Sequence, residues 1–212
     1  MMSYKSVLKF MLIFVITFAV LLIPSFGFRS LYRNIFIASG MAMFQNFGEK
    51  GIVLLEPQKK DVSALKVYIA NKETKVNGVY GGTHYDFNIY STGLFIPVVF
   101  FISLVAAISI SWKRKTVALL SGFLLILLYA MLKLRIVIMF YYSLNPWTGL
   151  YQGTQEKESI SFWYHYVALQ NTPEFTFALF LWILLCIGKR EWQYLNGAFE
   201  EVVVKKKVKT SR

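Results

Sequence analysis

Residues 116–142 read TVALLSGFLLILLYAMLKLRIVIMFYY, and only Lys133 and Arg135 interrupt the apolar run with charge. A helix of that length reaches about 40 Å at 1.5 Å per residue. A hydrocarbon core measures about 30 Å, so the stretch predicts a membrane-crossing helix. It begins directly after Lys113-Arg114-Lys115. The rest of the chain agrees: 56% of its 212 residues are hydrophobic and 16% charged, with a mean hydropathy of +0.50. Such a chain is too apolar and too poor in charge for an ordinary soluble domain. The formal net charge of +12 sits in clusters beside apolar segments, which favours membrane lipids as a partner and argues against nucleic acid. With Cys186 as the single cysteine, no disulfide forms within one chain.

Working outward, three further segments have membrane character, giving spans at about 8–27, 93–112, 116–142 and 174–188. The expected fold is an all-α integral membrane helical bundle of about four transmembrane helices in a single membrane domain, 1–212. The first segment resembles a secretory signal but lacks a small-residue cleavage site, so it reads as an uncleaved anchor. Lysine and arginine asymmetry orients the bundle. The connection at 113–115 is strongly basic, whereas 143–173 carries Lys157 beside Glu156 and Glu158. The basic connection therefore belongs on the cytoplasmic side, along with both termini and the basic tail 189–212. The expected location is the cell membrane, multi-pass, with outer loops at 28–92 and 143–173.

These outer loops carry their own structure. Residues 35–47 are moderately apolar behind Arg29 and Arg33 and predict an interfacial helix. Lys66-Val67-Tyr68-Ile69 and Asp86-Phe87-Asn88-Ile89-Tyr90 have strand character, and Asn77-Gly78 and Gly81-Gly82 are turn signals. A small extracytoplasmic β-hairpin-like element is expected there. Tyr141, Tyr142, Trp147, Tyr151, Trp163, Tyr164 and Tyr166 read as an interfacial aromatic belt.

On this topology Ser91, Arg135 and His165 all fall toward the outer side, and they form the candidate site. Burying an arginine in lipid costs roughly 3 kcal/mol or more, which marks Arg135 as a functional residue unless it snorkels. Ser91-Thr92 also reads as a helix N-cap, and His165 as one more interfacial ring.

At these residues the chain resembles the exosortase/archaeosortase family of membrane-embedded transpeptidases. The resemblance spans about 60–190. It rests on Asn88-Ile89-Tyr90 leading into Ser91-Thr92-Gly93-Leu94, then Leu134-Arg135-Ile136, then His165. Ser91 stands where the family carries cysteine, and Leu132-Lys133 replaces the asparagine often found before the arginine. The family likeness implies recognition of exported proteins through a C-terminal sorting tail made of a short motif, a transmembrane helix and a basic cluster. It implies no metal and no organic cofactor.

A thiol is readily activated by a neighbouring histidine, while a serine hydroxyl needs a well-aligned base. Three readings follow: a serine-using peptidase or transpeptidase, a catalytically inactive binding or assembly subunit that pairs with another membrane protein, or a cysteine replaced by serine. In the catalytic reading Ser91 attacks a peptide carbonyl, His165 is the general base and Arg135 stabilises the oxyanion. The Thr92 or Gly93 backbone N–H supplies a second oxyanion donor. His84, His165 and Asp86 fall short of a zinc set. A small oligomeric transporter or channel, with Lys133 and Arg135 favouring anions, is a separate alternative. A polar path down to Lys113-Arg114-Lys115 would distinguish it.

Overall fold

The computed structural model describes residues 4–23, 27–58, 64–76, 79–89, 95–169 and 172–187. Its helices are α1 (Tyr4–Leu22), α2 (Phe28–Phe44), α3 (Phe95–Ala107), α4 (Trp112–Leu144), α5 (Thr154–Trp163) and α6 (Thr172–Cys186). Between α2 and α3 lie strands β1 (Asn46–Phe47), β2 (Gly51–Pro57), β3 (Ala64–Val76) and β4 (Val79–Asn88), which form one antiparallel meander in the order β1-β2-β3-β4.

This corrects the expectation of an all-α bundle with four spans. Two helices are long and apolar enough to cross a membrane, within Lys5–Leu22 and Trp112–Leu144. That is compatible with a membrane protein. The segment expected to cross at 93–112 yields a helix of 13 residues, about 20 Å long, which is short of the core thickness. The segment at 174–188 yields one of 15 residues. Thr154–Ala168 and Pro173–Cys186 meet at 60°, and add a third crossing only when counted together as a broken span. Hydropathy is blind to this difference, because helices buried against protein and helices buried in lipid are equally apolar. The whole of α3 illustrates it, with Val98, Val99, Phe101 and Val105 all inside the molecule.

The basic cluster is also placed differently. Lys113, Arg114 and Lys115 form the first turn of α4 instead of a connection. Cations there oppose the helix dipole. Lys115 answers this by donating its Nζ to the Ala106 carbonyl at 2.7 Å, which satisfies the carboxyl end of α3.

The expected hairpin corresponds to β3 and β4, but it is half of a larger sheet. Gly81-Gly82 makes no turn: it lies within β4, where Gly82 pairs with Ala70. Residues 77–78 fall outside the described residues. β2 pairs with β3 along its length, from Gly51 with Asn71 to Pro57 with Leu65. Alternation decides the inner face, on which Val53, Leu55, Leu65, Val67 and Ile69 are buried. The helix expected at 35–47 begins earlier, at Phe28, and packs Tyr32, Phe36, Gly40 and Phe44 inward.

The last turns of α4 support the sheet. The Tyr142 hydroxyl lies 2.8 Å from the Ile52 carbonyl and 3.0 Å from that of Ala70, residues paired across β2 and β3. Tyr141 stacks on Tyr85 with ring centroids 4.1 Å apart, and Phe47 stacks on Tyr142 at 5.6 Å. Asn145 donates to the Tyr85 hydroxyl, and Asn71 to the Thr148 carbonyl at 2.6 Å. Tyr141 and Tyr142, expected in an aromatic belt, are buried under the sheet instead.

At the other end of α4, a Cβ added to Gly122 would overlap the Phe101 ring. That ring is wholly buried. Gly122→Val should therefore push α3 off α4 and cost about 1–3 kcal/mol, the usual penalty for overpacking. Chemical unfolding in detergent micelles measures it, with Leu120→Ala on the exposed face of α4 as a control that changes little.

Candidate functional site

Lys133, Leu134 and Arg135 lie on successive positions of α4, and the helix divides them by direction. Residues two apart on a helix point to opposite sides. Lys133 faces inward and is 1% exposed. Arg135 faces outward, into a groove between α4 and α5 lined also by Leu132, Ile136, Met139, Ile160 and Trp163. The groove is about 390 Å³ in volume.

Lys133 meets Glu174, at the start of α6, in a hydrogen-bonded ion pair. Glu174 is 2% exposed, and its Oε2 has no hydrogen-bond partner among the described residues. This is the one ion pair buried among the described residues, and by sequence Glu174 stands only at the threshold of the span expected at 174–188. A signal was present: two apolar segments each hold an unlike charge, and burial leaves each the other's natural partner.

His165 sits in a π-helical turn, Tyr164–Ala168, that continues α5. Its Nδ1 lies 2.7 Å from the Ser161 carbonyl. A carbonyl only accepts, so this contact is a hydrogen bond when Nδ1 carries a proton. The ring is exposed and stands edge-on to Tyr164 and Phe140. It lines a shallow, open groove with Lys157, Glu158, Ser161, Phe162 and Tyr166.

Arg135 and His165 therefore line separate grooves. The Arg135 groove takes Trp163 from α5 and Val167 from its π-helical continuation, and His165 lies between those two positions in the chain and lines the other groove. Ser91, Thr92 and Gly93 lie outside the described residues, as does the basic tail 189–212. His84 packs on the Tyr68 ring at 4.8 Å within the sheet, and Asp86 accepts from Gln58 Nε2 at 2.5 Å. Among the described residues no three His, Cys, Asp or Glu side chains are grouped so as to hold a metal ion.

Below the ion pair, the inward face of α4 runs through Ala118, Gly122, Ile126, Ala130 and Met131. None of these buried positions carries a polar side chain. Ser103, buried on the facing helix α3, spends its hydroxyl on its own Val99 carbonyl at 2.8 Å.

No family model matches the chain, and no similar curated protein or solved structure was found.

The ion pair makes a direct prediction. Lys133→Met strands a buried carboxylate and should cost about 3–5 kcal/mol, whereas Lys133→Met combined with Glu174→Leu should recover most of the loss. A double-mutant cycle on unfolding in detergent measures both. If the single and double variants lose the same stability, the pair does not hold α6 to α4.

Proposed function

We propose that the chain is an exosortase-like protein of the cell membrane that binds the C-terminal sorting tails of exported proteins, as a binding or assembly subunit without peptidase activity. In this reading the Lys113-Arg114-Lys115 end of α4 is cytoplasmic, and its Tyr142 end, with the sheet, α5 and the His165 groove, lies on the extracytoplasmic side. The charge asymmetry between Lys113-Arg114-Lys115 and the 143–173 segment supports that orientation.

One observation carries the choice of binding over catalysis. Acyl transfer needs a base and an oxyanion stabiliser converging on one carbonyl, and Arg135 and His165 line different grooves. The usual cysteine is also absent, with Ser91 in its place. The His165 groove, with Lys157 and Glu158 beside aromatic Phe162 and Tyr166, has the mixed character suited to a short polar motif next to an apolar segment.

The catalytic reading is favoured by one feature, the exposed imidazole of His165 held at Nδ1 by the Ser161 carbonyl, since histidine is the commonest general base. A single experiment separates the two. A photo-crosslinking residue in place of Phe162 is expressed with an exported reporter that ends in a polar motif, an apolar segment and a basic cluster. Binding without cleavage predicts a crosslink to the full-length reporter, weakened by Lys157→Glu and by His165→Ala and unchanged by Ser91→Ala. A shortened reporter that disappears in Ser91→Ala and His165→Ala would establish the peptidase. The lack of any crosslink to tail-bearing reporters would remove tail recognition altogether.

A further inference from the structure

Arg135 is the residue whose environment asks for something outside the chain. Its neighbour Lys133 is buried and paired with Glu174, so the inward charge is compensated. Arg135 is exposed and makes no salt bridge among the described residues. No carboxylate lines its groove, whose other walls are apolar or aromatic. A single guanidinium at the rim of an apolar slot fits an amphiphile with an anionic head.

Depth along α4 identifies the kind of amphiphile. Arg135 stands about 35 Å along the helix from Trp112 at 1.5 Å per residue. When the basic turn at 113–115 sits at one headgroup layer, Arg135 has passed the hydrocarbon core of about 30 Å and reaches the other. Exposed Phe162, Trp163 and Tyr166 lie on α5 and its π-helical continuation, and aromatic residues favour that level. An arginine fork takes a phosphodiester in two parallel hydrogen bonds.

We propose that the groove between α4 and α5 is a binding site for an anionic phospholipid of the leaflet at the Arg135 end of α4. The phosphate is held by Arg135 beside Trp163, and an acyl chain runs from it past Leu132 toward the bilayer centre. The proposal does not depend on tail recognition, because the His165 groove is separate.

The full-length chain is reconstituted in phosphatidylcholine vesicles containing acyl-brominated phosphatidylglycerol or acyl-brominated phosphatidylcholine at equal mole fraction. The emission of Trp163 is taken as the difference between the chain and its Trp163→Phe variant. The expected result is a preference of about fivefold for the anionic lipid as quencher, the equivalent of about 1 kcal/mol for one basic residue at an anionic surface. Arg135→Gln should abolish that preference, and Arg135→Lys should keep part of it. Equal quenching by the two lipids, or a preference that survives in Arg135→Gln, overturns the proposal. Loss of the preference on adding soluble glycerol phosphate would make this a free-phosphate site. Displacement of both lipids alike by an uncharged apolar peptide would make it a peptide groove.

Discussion

A helix of 33 residues is about 50 Å long, and a bilayer offers about 30 Å of hydrocarbon. The surplus of α4 governs the rest of the molecule. Its last turns carry Tyr141 and Tyr142, which with the capping Asn145 grip the sheet from below. The meander in turn gives α2 an apolar surface to cover, where Gly40 lies so close to Leu55 and Leu134 that a side chain would collide with both. Helix, sheet and covering helix are thus one packed body, in which membrane length and sheet position are set by the same element.

The second constraint is electrostatic. Two cations two residues apart on one helix cannot share an environment, because the helix turns them to opposite sides. Lys133 goes inward, where a lone charge would be prohibitive, and Glu174 meets it. Arg135 goes outward to the α4–α5 groove. The pair fastens α6 to α4, and the outward arginine is left for surroundings rather than for structure. This division also separates Arg135 from His165, because the outer helix offers Trp163 and Val167 to one groove and His165 to the other.

The sequence alone determined that α1 and α4 are long and apolar enough to cross a membrane, since length and hydropathy are local quantities. It also pointed to extended chain at 66–69 and from Asp86, which lie in β3 and β4. Only the tertiary structure decided that 95–107 and 172–186 are short helices packed on neighbours, because apolar residues look the same whether lipid or protein covers them. Only the tertiary structure decided the four-stranded sheet, since β1 and β2 owe their pairing to β3 and to support from Tyr142. The partnership of Lys133 with Glu174, 41 positions apart, and the turning of Arg135 away from His165 follow from how α4, α5 and α6 are rotated against one another. Rotation about a helix axis is fixed by packing, which no spacing along the chain specifies.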